Sequence, residues 1–307
     1  MVIEVKNLSV KYREKNVVKN VSFTVNEGEI FGMIGVNGAG KTTTIECIEG
    51  LRNNYSGEIR VLGINPMKGR KELHKLIGVQ LQETSYHDRL KVKEICKLFA
   101  SFYDTKESID DLAKEFNLYE KLDSYVGKLS GGQRQKLSII LALISKPKIV
   151  FLDELTTGLD PKSRRDMWES VLRLKKKGIT VYLTTHFMEE AEYLCDRVAI
   201  MKQGQIVALD SVENLKNNHG LLDKVSFRCS HNIKNEVLMK FKTVKEIVER
   251  DNHFTISCEA DTFLSELNRY IIDNNYMIFN VEVNKPSLED VFFKYTGEIL
   301  ESLEEQQ

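Results

Sequence analysis

The chain opens on two stretches that alternate apolar and polar positions, VIEVKNLSVKY (2–12) and VSFTV (21–25). That period of two predicts half-buried strands. EIFGMIG (29–35) is apolar almost throughout and ends on glycine, which predicts a strand buried on both faces. A helical pattern, TTTIECIEGL (42–51), follows it. Two more buried strands are predicted at KIVFLDE (148–154) and ITVYLTTH (179–186), with helices over 134–145, 163–177 and 187–195. Strands alternating with helices imply an α/β domain whose sheet is mixed and largely parallel. The interval from Gln82 to Leu129, including YHDRLKVKEICKLFASFY (86–103), predicts a helical subdomain.

A shorter pattern fills the last third. VSFRCS (225–230), IKNEVLMKF (233–241), VKEIVER (244–250), HFTISCE (253–259), TFLSELNRYIIDNN (262–275) and MIFNVEV (277–283) read β-α-β-β-α-β. This is the order of a small ferredoxin-like α+β unit. The turn-rich NNHG (217–220) places a boundary, giving domains at 1–218 and 219–297 and an acidic tail at 298–307.

Composition narrows the class. Of 307 residues, 42% are hydrophobic and 29% charged, a globular balance. The formal net charge of -1 points to neither nucleic acid nor an anionic membrane as a partner. No apolar run approaches the ~18–20 residues of a spanning helix. MVIEVKNLSVKY lacks the basic start and apolar core of a secretory signal, so a cytoplasmic chain is expected. The five cysteines, Cys47, Cys96, Cys195, Cys229 and Cys258, are scattered and never form CxxC, as expected of reduced, buried thiols.

The candidate chemistry begins in GVNGAGKTT (35–43). Gly35, Gly40, Lys41 and Thr42 fit the phosphate loop G-x-x-x-x-G-K-[ST], with Asn37, Gly38, Ala39 and Thr43 completing it. Glycine permits torsions that turn consecutive N–H groups inward, and the following helix adds partial positive charge. Lys41 supplies a cation for the β and γ phosphates, and Thr42 a hydroxyl for Mg²⁺. KIVFLDE ends in two adjacent carboxylates: Asp153 at a strand end suits the Mg²⁺ shell, and Glu154 is the candidate general base. In LSGGQRQ (129–135), a serine and two glycines precede a helix. Either Ser130 simply caps that helix, or the segment is a second anion cradle for a nucleotide held by another copy.

The set GVNGAGKTT, LSGGQ, IVFLDE, TGLD and TTH, in this order, resembles the nucleotide-binding subunit of an ABC transporter over roughly residues 1 to 220. The resemblance implies a P-loop ATPase fold, ATP and Mg²⁺ as ligands, and a head-to-tail pair of ATP-binding subunits, identical or different. It implies that Ser130, Gly131, Gly132, Gln133 and Asp160 contact the nucleotide of the opposite subunit. It further assigns Tyr12 to stack on adenine, Thr43 to lie near the α-phosphate, and Gln82 to sense Mg²⁺ and water beside a transmembrane partner. Gln80 is the rival for that last role. His186 occupies the switch position near the γ-phosphate. Leu155 departs from the proline usual after the glutamate. KPSLEDVFFKYTGE (285–298) is similar to the ending of exporter ATPases of the multidrug, antibiotic-resistance and lantibiotic-immunity type. The implied partner is a separate membrane permease, which would hold the chain on the cytoplasmic face of the membrane. The competing class is a soluble, non-transport ABC ATPase acting on a macromolecular complex. Against it stand the single set of motifs and the short interval between 44 and 128, with no room for coiled-coil arms.

Overall fold

The computed structural model describes residues 1–80, 86–104, 106–217 and 220–297. These divide into two compact units, Met1–Val212 and Glu213–Gly297. Gln82, the expected domain boundary at residues 218 and 219, and the acidic tail 298–307 lie outside the described residues.

The first unit runs β1 (Ile3–Tyr12), β2 (Lys15–Val25), β3 (Ile30–Ile34), α1 (Lys41–Ile48), β4 (Ser56–Val61), α2 (Arg70–Leu73) and β5 (Ile77–Gln80). It continues with α3 (Val92–Ala100), α4 (Ile109–Glu115), α5 (Gly131–Leu143), β6 (Ile149–Asp153), α6 (Pro161–Lys176), β7 (Thr180–Thr185), α7 (Met188–Leu194), β8 (Arg197–Lys202) and β9 (Gln205–Ser211). Helix α8 (Val212–Asn217) begins at the last residue of this unit. Six strands form one sheet in the order β5-β6-β7-β3-β8-β9, parallel except for the β8–β9 pair. The alternating N-terminal strands do not join it. They form a separate antiparallel sheet, β2-β1-β4.

The hydrophobic pattern explains this division. Strands β3, β6 and β7 are buried at every position, their largely apolar runs lying between helices on a parallel sheet. Strand β1 buries Ile3, Val5, Leu8 and Val10; the step from Val5 to Leu8 breaks the alternation at a bulge beside Asn7, whose φ is 52°. Those side chains pack with Phe23, Phe31, Phe151 and Tyr182 in one core. Phe23 stacks on Phe31 at 5.3 Å between ring centroids, and Phe31 and Phe151 each lie 5.6 Å from Tyr182. Burying a side chain such as Phe31 contributes roughly 1.5–3 kcal/mol.

Register places the site. In the sheet β7 lies between β6 and β3, with Ile34 paired to Thr185 and Asp153 to Thr184. The glycine loop after β3, the carboxylates after β6 and the histidine after β7 therefore emerge together at the carboxyl edge, where open α/β sheets bind ligands.

The second unit runs β10 (Asp223–Cys229), α9 (Asn235–Leu238), β11 (Glu246–Arg250), β12 (His253–Cys258), α10 (Ala260–Asn274), β13 (Ile278–Asn284) and α11 (Leu288–Thr296). Its antiparallel sheet has the order β11-β12-β10-β13, which is the ferredoxin-like arrangement. The β11–β12 turn puts Asp251 and Asn252 at φ 51° and 59°, the two left-handed residues of a type I′ hairpin. Val225, Phe227, Phe254, Ile256, Phe263 and Leu267 form its core. The helix expected over IKNEVLMKF shrinks to the four residues of α9, whose start has no side-chain cap.

Candidate functional site

The loop after β3 needs its glycines. A Cβ at Gly35 would stand 2.5 Å from the carbonyl oxygen of Met201. Gly40 adopts φ 109°, and a Cβ there would meet the Val17 carbonyl oxygen at 2.9 Å. Asn37 and Gly38 are exposed at the loop's tip, while Ala39 is buried beneath it. Lys41 opens α1 and is only 3% exposed. Its Nζ donates to the Gly35 carbonyl at 2.7 Å and the Val36 carbonyl at 3.3 Å, and lies 3.6 Å from Glu154 Oε1. Burial pushes the Lys41 ammonium below its ordinary pKa, opposed by the charges of Glu154 and Asp153.

Asp153 ends β6 and is buried. It accepts a hydrogen bond from the Thr184 hydroxyl of the neighbouring strand and one from Thr42. Burial raises its pKa, and those two donors and Lys41 work against the rise. Glu154 takes φ 49°, a left-handed torsion uncommon for a residue with a Cβ. Its own N–H still bonds the Thr184 carbonyl at 3.1 Å. This one torsion turns the chain at the strand end, so that Glu154 and Asp153 both address Lys41 instead of facing opposite sides of the sheet. The Glu154 carboxyl is held below its usual pKa, first by His186 and then by Lys41, against the effect of burial. His186 Nδ1 lies 3.5 Å from Glu154 Oε1, an ion-pair distance that is long for a hydrogen bond.

Ser130 caps α5 in a complete capping box, with Gln133 N–H donating to Ser130 Oγ at 3.3 Å and Ser130 N–H donating to Gln133 Oε1 at 3.1 Å. Ser130 and Gly131 remain exposed. Gly132 packs so near Ser163 that an added Cβ would approach its hydroxyl to 3.0 Å. Asp160, likewise exposed, caps α6 by accepting from the Ser163 N–H at 3.0 Å. The signature segment and Asp160 thus form one exposed surface of two capped helix starts. Tyr12 ends β1 at 59% exposure, with the Arg52 guanidinium 5.7 Å from its ring centroid. Thr43 is half-buried in α1. Gln80, the rival to Gln82, is buried at the end of β5 beside β6. The sequence reading did not single out Thr156, Thr184, Thr185 or Glu190, all buried polar side chains behind the carboxylates.

The residues fit a magnesium nucleotide. The cradle is one a Cβ would fill, the ammonium is buried among oxygens, and Thr42 and Asp153 present two hard oxygen ligands already in contact. Magnesium held there would take its other ligands from phosphate and water. A phosphate loop between a buried parallel strand and a helix, with carboxylates at the end of the next strand but one, defines a P-loop nucleoside triphosphatase.

Comparison with known proteins narrows the class. Residues 18–157 match the family described as ABC transporter. Nod factor export ATP-binding protein I of Rhizobium sp. (strain N33) is 34% identical over 97% of this chain and 98% of its own length. Linearmycin resistance ATP-binding protein LnrL of Bacillus subtilis (strain 168) is 30% identical over 97% of this chain and 99% of its own. The chain spans 37% and 35% of the length of ABC transporter A family members 9 and 7 of Dictyostelium discoideum, at 33% and 32% identity. Among solved structures it is similar to a dimeric ATP-binding cassette in a post-hydrolysis state bound to ADP and Pi. That likeness has a TM-score of 0.62 and 26% identity, and covers 68% of this chain and 98% of the other. The chain belongs to the ATP-binding proteins of the ABC transporter family.

Proposed function

We propose that this chain binds and hydrolyses ATP with Mg²⁺ as one of two ATP-binding subunits that drive export through a separate membrane permease. The observation that carries the reading is the buried group of Lys41, Glu154 and His186, with 3.6 Å and 3.5 Å separating Glu154 Oε1 from the other two. In this arrangement Glu154 is ionised, an acceptor ready to polarise an attacking water. Lys41 is the cation for the β and γ phosphates, Thr42 and Asp153 hold Mg²⁺, and His186 orients Glu154 and meets the γ-phosphate. Bound Mg²⁺ neutralises charge on the phosphate oxygens. Tyr12 stacks on the adenine.

The surface of Ser130–Gln133 and Asp160, exposed at Ser130, Gly131 and Asp160, completes the site of the opposite subunit. The reading is supported by the dimeric state of the post-hydrolysis cassette above and by the exposed capped helix starts, which suit a phosphate arriving from outside the chain. Export is supported by the likeness, along nearly the whole chain, to the Nod factor export ATP-binding protein. Among the described residues no helix is long and apolar enough to cross a membrane, so a permease would supply the path.

Mixing chains tests the shared site. Lys41→Ala and Ser130→Arg chains, each inactive alone, are combined and assayed for ATP turnover. One intact composite site forms in the mixed dimer, so partial turnover returns. No recovery, with mixed dimers demonstrated by tagging, would overturn the shared site.

A further inference from the structure

Behind the candidate site lies a carboxylate that its chemistry has not used. Glu190 in α7 is 2% exposed, whereas its neighbour Glu189 faces solvent. Its Oε1 accepts from the Thr156 hydroxyl at 2.8 Å and from the Trp168 indole N–H at 3.1 Å. The Thr185 hydroxyl also bonds this carboxylate, and Thr185 in turn accepts from the Phe187 N–H at 3.0 Å. Burial pushes the Glu190 carboxyl above its ordinary pKa, against the pull of its three donors and of Arg164; the Arg164 guanidinium is pinned over the Phe187 ring at 5.2 Å and donates to the Leu159 carbonyl at 3.3 Å.

The three donors come from three different segments. Thr156 is two residues beyond Glu154. Thr185 immediately precedes His186. Trp168 lies in α6, the helix that Asp160 caps. The indole N–H can only donate, and the Thr156 hydroxyl donates to the same oxygen, so a carboxyl oxygen accepts where the three segments meet. A buried carboxylate is a poor choice for stability alone, because desolvation offsets most of what its partners return. It is a good choice for fixing three segments at one spacing.

We infer that Glu190 is a positioning residue for hydrolysis: it locks the chain behind Glu154, the strand end before His186 and the helix behind Asp160 into one buried hydrogen-bonded group. This rests on the reading of Glu154 and His186 given above. The donors to Glu190 are Thr156, Trp168 and Thr185, none of them in the phosphate loop, so its loss leaves nucleotide affinity in place and disturbs the geometry between base and histidine. The path through α6 extends the same hold to the surface that faces the partner subunit.

The test uses the full chain and four variants. Thr156→Val deletes one donor with shape nearly kept, Trp168→Phe deletes another together with part of the indole's volume, Glu190→Gln replaces the acceptor, and Thr156→Ser keeps the hydroxyl. The first three should lose about tenfold or more in ATP turnover, the scale of a hydrogen bond to a charged group, with the Kd for ATP within about twofold of wild type. Thr156→Ser should retain wild-type turnover. Thr156→Val combined with Glu190→Gln should be no worse than Glu190→Gln alone, because both act through one group. Wild-type turnover in folded Thr156→Val and Glu190→Gln chains overturns the inference, as does a turnover loss matched by an equal loss of ATP affinity or folded fraction. Should Glu190→Gln fail to fold, the Thr156→Val and Thr156→Ser pair decides. Glu154→Gln is run alongside: its full turnover would remove the base reading itself, whereas its inactivity beside fully active Glu190 variants would remove the positioning role alone.

Discussion

The ion pair at the heart of the site makes a quantitative prediction about ATP affinity. Lys41 Nζ lies 3.6 Å from Glu154 Oε1, in surroundings that leave the two side chains 3% and 6% exposed. At an effective dielectric of about 20, opposite unit charges at that distance attract by about 5 kcal/mol; in bulk water the figure falls to about 1 kcal/mol. ATP must draw the ammonium toward its phosphates and bring negative charge beside the Glu154 carboxylate. Glu154→Gln keeps the shape, releases the ammonium and removes the repulsion. Even a third of the low-dielectric figure is about 1.7 kcal/mol, so the Kd for ATP should fall by about tenfold or more. Turnover of the same variant should drop by about 10²–10⁴, the usual worth of a general base. The assay is equilibrium titration of wild type, Glu154→Gln, Lys41→Met and the double variant, at concentrations too low for dimers to form. Lys41→Met should cost more affinity in the Glu154→Gln background than in wild type, since only in wild type does Lys41 give up a partner to bind. Equal costs in the two backgrounds, or unchanged affinity in a folded Glu154→Gln chain, would refute the electrostatic account.

Two further outcomes are expected. Tyr12→Ala should weaken ATP binding by about tenfold, the scale of a base–aromatic stack, while Tyr12→Trp preserves it; at 59% exposure the change should leave the thermal midpoint in place, and equal affinity for Ala and Trp variants would remove Tyr12 from the base site. All five cysteines are buried, and burial pushes the Cys47 and Cys96 thiols up to about 12. Cys47 and Cys96 stay protonated at pH 8 and all five thiols are covered, so an aromatic disulfide reagent should label the chain only after denaturant is added; fast labelling of the native chain would contradict the packing.

The strands that carry the site were legible because their pattern leaves little choice. EIFGMIG, KIVFLDE and ITVYLTTH are apolar runs too short for helices and bounded by glycine or charge, and they became β3, β6 and β7. The separation of β1 and β2 into a sheet of their own was not legible. Alternation tells which face of a strand is buried but names no partner. Strands β4 and β9 escaped because little of them is fully buried: β4 buries only Ile59 and Val61, and β9 is partly exposed throughout. Helix α11 left a readable signal that the expected β-α-β-β-α-β order had no place for. Ser287 and Asp290 are spaced as a capping box, and they form one.

At the site, the sequence named the side chains but not the torsion and burial that set their chemistry. Asp153 and Glu154 are adjacent, and in an ideal strand they would diverge; a left-handed Glu154 makes them converge, and nothing in the letters DE encodes φ 49°. Ser130 had been open to two readings, helix cap or exposed anion site. The capping box is present and the serine is also exposed, so the two readings do not exclude each other. Glu190 was the hardest case. In FMEEAEYL (187–194) three glutamates look alike, yet Phe187, Glu190, Ala191 and Leu194 share one helical stripe, and only that glutamate lies among the apolar positions. A carboxylate on an apolar stripe is costly unless something behind it donates. Here three donors do, each from a segment that also carries a residue of the candidate site, so the position that breaks the pattern is the one that joins its parts.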